Sequence, residues 1–157
     1  MTKIHTNTSL KSLFGMTLVA AALGLSACSS PASPDIKARQ DSMKSWGDAM
    51  GVMGDMAEAP DTFNAEVFKE QASFLAGDAV NPWSHFEDSE AVGNATAAVW
   101  SNNEGFRAEA EHFQQVTAEL DAAAQSATSI EEVLPALGAV GESCKSCHTD
   151  FKVKDNS

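Results

Sequence analysis

Five consecutive residues near the end of the chain, Cys144-Lys145-Ser146-Cys147-His148, constrain the fold more than any other feature. On a helix, Cys144 and Cys147 lie about one turn apart and His148 lies four residues beyond Cys144, so the three side chains share one face. Only nine residues follow His148. Whatever that face meets has to come from earlier in the chain. The composition indicates what kind of element comes earlier. The chain has three isoleucines, no tyrosine and abundant alanine. Alanine loses no side-chain entropy in a helix, whereas β-branched and aromatic residues suit pleated sheets, so helices are expected throughout.

Four amphipathic stretches follow from the apolar spacing. Asp35 is the expected N-cap of the first, where Ile36, Met43 and Met50 interleave with Trp46 and Met53 at seven-residue intervals. Arg39 falls in that seam, which is costly for a charge unless it finds a partner or reaches water near the helix end. Gly47, Gly51 and Gly54 weaken the helix by about 1 kcal/mol each relative to alanine. Close approach of another helix or a flat ligand would account for them, as would simple tolerance. After Pro60-Asp61, a second helix is expected from Asp61 or Asn64 to about Ala76, closed by Gly77 and carrying Phe63, Val67, Phe68, Phe74 and Leu75. A long connection from about Asp78 to Val99 holds Asn81-Pro82-Trp83 and His85-Phe86. Ser101-Asn102-Asn103-Glu104 reads as a capping box opening a third helix with the stripe Phe106, Ala110, Phe113, Thr117, Leu120 and Ala124. Ser129-Ile130-Glu131-Glu132 offers a second box, with Pro135 delaying or bending the start of the fourth helix. Its face carries Val133, Leu137, Val140, Cys144, Cys147, His148 and Phe151. The expected fold is an all-α, antiparallel four-helix bundle spanning residues 35–157, without repeats or a second domain.

The N-terminal region reads as a targeting segment. Lys3 and Lys11 precede an apolar run from Leu13 to Leu25 that is too short to span a bilayer and ends in Ser26-Ala27-Cys28. Residues 1–27 are read as a secretory signal peptide and residues 28–34 as a Pro/Ser linker. Leu25-Ser26-Ala27-Cys28 resembles the bacterial lipobox, which implies lipidation of Cys28 and tethering to a membrane on the periplasmic side. Plain cleavage near this point is the rival. The chain carries 22 acidic and 10 basic residues, a formal charge of −12. Loss of Lys3 and Lys11 on processing makes it −14. That charge argues against nucleic acid or an anionic membrane face as partner and favours redox partners with basic patches.

Cys-x-x-Cys-His is the pattern of c-type haem attachment. Two thiols one turn apart can each add to a vinyl group of one porphyrin, and His148 can then place an imidazole nitrogen on the iron. A thioredoxin-like redox pair would be expected beside a βαβ unit, and a zinc site would need further ligands that His85 and His112 do not supply as a cluster. Both histidines read as surface residues. A sixth axial ligand, if there is one, has to come from the earlier helices.

A bundle with this motif at the end of its last helix resembles the class II cytochromes c, specifically cytochrome c′. The likeness extends through Ile36-Lys37-Ala38-Arg39-Gln40 with Met43-Lys44, through Asn81-Pro82-Trp83-Ser84-His85-Phe86 and Val99-Trp100-Ser101, and through Val140 to His148. It implies one covalently bound haem c on Cys144 and Cys147, with His148 as the proximal ligand. It implies that Arg39 faces a haem propionate, that Met43 covers the sixth site, and that Trp83 and Phe86 pack over or beside the haem. Lys152 stands where many members have an arginine near the proximal histidine. The resemblance further implies a periplasmic protein, not an enzyme, that binds small diatomic gases such as nitric oxide or carbon monoxide or exchanges electrons. Homodimers through the first two helices are common in the family. Two states of Met43 stay open: a blocker over a five-coordinate, high-spin iron, or a sixth ligand in a low-spin His/Met electron carrier.

Overall fold

Helix α1, Pro34–Glu58, begins in a computed structural model that describes residues 33–154, so the expected signal segment and Cys28 lie outside the described residues. Ser33, not Asp35, caps α1. Its hydroxyl accepts from the Asp35 backbone N–H at 3.3 Å, Pro34 takes the first turn, and Asp35 sits where the helix dipole favours an acid. The Asp35 carboxylate meets His85 Nδ1 at 2.8 Å instead. Helix α2, Ala65–Asp78, is capped by Asn64, whose side chain accepts from Val67 N–H at 3.1 Å. It runs past Gly77. Asp78 holds the last turn by accepting from the Trp46 indole at 2.8 Å and from Asn81 at 2.7 Å, which leaves Gly77 inside the helix.

The connection contains a 3₁₀ turn at Pro82–Phe86 and a short helix α3, Ala98–Ser101. Helix α4, Asn103–Ala124, is capped by Asn102 and not Ser101, because Ser101 is spent as the last residue of α3. A Cβ on Gly105 would come within 2.5 Å of the Asn102 side chain, so glycine here makes room for the cap. Ser129 opens a 3₁₀ turn at Ile130–Glu132 with no side-chain cap of its own, and Glu132 instead accepts from Thr128 N–H at 2.8 Å. Helix α5, Leu134–Phe151, then starts with Pro135 in its first turn, where the missing N–H is harmless.

The long helices α1, α2, α4 and α5 make a four-helix bundle. Helix α4 packs against both α5 and α2, and α1 packs against α2 and the 82–86 turn, but α1 and α5 barely touch. The expected α4 stripe is buried throughout. On α2, Phe68 and Leu75 are buried, whereas Phe74 is 42% exposed because it sits one position off their row. The α1 glycines meet no neighbouring atom within 4 Å of a Cβ position, which rules out helix approach as their reason. No helix of the described residues is long and apolar enough to cross a membrane.

Candidate functional site

The gap between α1 and α5 is where the site residues gather. One cavity of about 270 Å³ is lined by Trp46, Gly47 and Met50 of α1 and by Ser143 and Cys144 of α5, among others. A second, of about 200 Å³, is lined by Arg39, Phe86, Phe151 and Lys152, among others. Met43, Trp83, Cys147 and His148 line both, so the two spaces adjoin across Met43 and His148. Every site residue expected from the sequence within the described region lines one or both of them.

The wall opposite Cys147 is aromatic. The Trp83 ring lies 6.3 Å from Phe86, nearly parallel to it, and 5.9 Å from Trp46 and from Phe106. Each tryptophan satisfies its only polar group on other protein atoms: Trp46 with Asp78, Trp83 with Ala79 O at 2.6 Å, and Trp100 with Phe86 O at 2.8 Å. Trp46 and Trp83, which line the cavities, have their donors committed, so their rings present apolar surface there.

Arg39 is only 5% exposed, which overturns the reading that it reaches water. Its Nη2 donates to Ala91 O at 2.5 Å, and its Cζ lies 4.5 Å from the Phe86 ring centroid. Burial lowers its pKa, with Asp35 and Asp88 opposing that shift. Nη1 is buried without a hydrogen-bond partner. Gly93, at φ +54°, lets the loop lie against Arg39: a Cβ there would meet Ile36 at 3.1 Å and Nη2 at 3.3 Å.

On α5 both cysteines are free and half-buried. Burial raises the Cys144 pKa. The Cys147 thiol is pushed up to about 12, first by burial and then by the charges of Glu109, Cys144 and Asp150. Among the described residues no three His, Cys, Asp or Glu side chains converge on a metal position. His148 is held below its usual pKa, chiefly by burial and then by Lys152, which favours the neutral imidazole a metal needs. The α5 terminus is tied to the connection. Thr96 N–H donates to Phe151 O at 2.9 Å, Thr96 Oγ1 donates to Asp150 O at 2.9 Å, and Val153 N–H donates to Asn94 O at 2.9 Å.

His112 is exposed, as expected; His85 is half-buried and paired with Asp35, and neither lines the two cavities. Three residues that sequence reasoning did not single out belong here. Trp46 and Met50 were visible only as stripe residues, and Ser143, buried with its hydroxyl unpartnered, has no distinguishing sequence signal.

The family profile described as cytochrome c′ matches residues 35–152. A cytochrome c′ from Halomonas halodenitrificans is 32% identical over 123 residues, covering 74% of this chain and 93% of the relative. Among solved structures, cytochrome c prime from Shewanella frigidimarina has a TM-score of 0.73 at 28% identity, covering 80% of this chain and 98% of that one. A nitric oxide complex of a variant of cytochrome c prime from Alcaligenes xylosoxidans has a TM-score of 0.72 at 26% identity, covering 77% and 94%.

Proposed function

The chain belongs to the cytochrome c′ family, whose members carry a covalently bound haem c, and from that premise we propose a gas-binding haem protein whose iron has one open coordination position. One observation carries the reading: Met43 from α1 and His148 from α5 line both cavities, in a space whose other walls are largely apolar. Two features fit the haem itself. Cys144 and Cys147 present two protonated thiols one turn apart at the cavity, and Arg39 keeps a buried Nη1 without a partner, suited to a carboxylate on a bound macrocycle.

The haem supplies an iron that binds diatomic ligands. Cys144 and Cys147 fix it to α5, His148 ligates it from the proximal side through a neutral imidazole, and Arg39 takes a propionate. Met43 caps the opposite face with Trp83 and Phe86 beside it. With the Trp46 and Trp83 indole donors committed elsewhere, the aromatic wall beside Met43 offers bound dioxygen no hydrogen bond, which favours nitric oxide or carbon monoxide. The Alcaligenes xylosoxidans neighbour is itself a nitric oxide complex, which supports the same ligand class here. We read the protein as a ligand binder or electron carrier and not as an enzyme, because no acid–base pair lines the cavities around Met43.

The rest of the assignment follows the sequence. Residues 1–27 direct export, Cys28 is lipidated, residues 28–34 form the tether, and the bundle works in the periplasm with basic redox partners. Val52 and Phe74, both exposed on α1 and α2, support pairing of two copies through those helices.

An absorption spectrum of the purified haem-loaded protein tests the central claim. High-spin bands, with carbon monoxide binding to the ferrous form, are expected. A low-spin spectrum with the long-wavelength charge-transfer band of methionine–iron ligation would instead make Met43 the sixth ligand and the protein a His/Met electron carrier. Intact mass is expected to show haem plus a diacylated N-terminal cysteine.

A further inference from the structure

Glu109 of α4 stands in the seam facing α5 and lines neither of the cavities around Met43 and His148. Its Oε1 accepts from the hydroxyl of Ser146 at 2.9 Å, and Ser146 lies between the two cysteines. Its Oε2 is buried, and among the described residues it has no hydrogen-bond partner and no basic side chain within ion-pair distance. Glu109 is half-buried, and its shielded Oε2 is screened less by water than a fully exposed carboxylate would be. Asp150 and Glu142 also lie on α5 but are exposed, and water and salt screen them more strongly.

We propose that Glu109 is a positioning and tuning residue for the haem: its carboxylate braces Ser146 between the two attachment cysteines and holds a fixed negative charge behind Cys147 that stabilises the ferric over the ferrous state. The inference rests on the haem attachment proposed above. Oxidation of the haem adds one positive charge, so a nearby anion favours that state and lowers the midpoint potential. Glu109 lines neither cavity, so it acts through its bond to Ser146 and its charge and not as a ligand.

The test is a spectroelectrochemical titration of the haem-loaded protein. Glu109→Gln keeps the size and the bond to Ser146 but loses the charge. It is expected to raise the ferrous-to-ferric ratio at a fixed potential about tenfold, equivalent to about +59 mV for a one-electron couple. Glu109→Asp, which keeps the charge, is expected to restore most of the original potential. Exposed Glu142→Gln removes the same charge from α5 and is expected to change the ratio less than twofold. Ser146→Ala releases the carboxylate without removing it and should give a smaller rise, readable even if Glu109→Gln is unstable. An unchanged potential in both Glu109→Gln and Ser146→Ala overturns the proposal, as does a Glu142→Gln shift as large as that of Glu109→Gln. Haem staining and intact mass are read on the same samples. Haem-loaded wild type with an unshifted variant sinks only the role of Glu109, whereas unmodified thiols in the wild type sink the attachment reading itself.

Discussion

Between α2 and α4 the bundle closes on itself, with Phe68, Ala72 and Leu120 out of contact with water, whereas between α1 and α5 it stays apart around cavities lined by Met43, Met50 and His148. Both sides use apolar stripes with similar spacing. They differ in what sits opposite each stripe. The α4 stripe finds apolar side chains on α2 and α5, whereas the α1 stripe divides: Trp46 and Met53 are buried in the core, and Met43 and Met50 meet thiols, an imidazole and empty volume. A protein interior packs nearly as densely as an organic crystal, so a gap of this size lined by aromatic rings marks a space reserved for something else.

The contrast can be broken most severely at the attachment residues. The double substitution Cys144→Ser, Cys147→Ser is expected to abolish covalent haem, read as complete loss of the haem-stained band after denaturing electrophoresis. The closed side should then remain helical by circular dichroism. Next in size, Leu120→Ala on the closed side should lower unfolding stability by about 2–5 kcal/mol in a denaturant titration, because the cavity it leaves cannot collapse. Met50→Ala on the open side should cost clearly less in the haem-free chain, since it already faces empty volume. Equal losses at the two positions would dissolve the distinction between the sides. A smaller effect is expected from Met43→Ala: carbon monoxide should associate with the ferrous protein about tenfold faster, some 1.4 kcal/mol off the entry barrier. Slower or unchanged association would remove Met43 from the ligand's path.

The mildest test uses pH. In the haem-free chain the folded Cys147 thiol titrates at about 12, against an ordinary value of 9.0. Above pH 9 the unfolded chain therefore binds fewer protons than the folded one, and stability falls as pH rises from 9 towards 12. Thioethers do not titrate. The corresponding part of the alkaline loss should be absent from the haem-loaded protein, a difference visible by comparing the two denaturation curves across that window.

The closed side was the more legible from sequence. The six-residue α4 stripe is buried as its spacing predicts, because helical periodicity states directly which face is apolar. The caps were less legible. Ser33 displaced Asp35, and Asn102 displaced Ser101, since neighbouring polar residues compete for one role and the choice turns on where the preceding segment ends. Gly77 misled for a related reason: a helix stops where tertiary partners stop holding it, and Asp78 was held by Trp46. On the open side, the spacing of Cys144, Cys147 and His148 singled them out, and all three line the cavities. The partner of Arg39 was not. It is the Ala91 carbonyl, 52 residues away, and a backbone carbonyl leaves no mark in sequence. Glu109 was invisible as well, as one acid among many until α4 brought it beside Ser146.

The loop from Ala91 to Thr96 has a consequence for the order of events during folding. It holds Arg39 at one end and the last turn of α5 at the other, so it closes contacts spanning more than 50 residues on each side. Contacts between helices adjacent in the chain pay less loop-closure entropy and form earlier, which puts this strap among the last parts to lock. Until it does, the terminal turn that carries Cys147 and His148 lacks its tether to the connection and stays within reach of whatever delivers the haem. The strap then fastens the first helix and the last across the site.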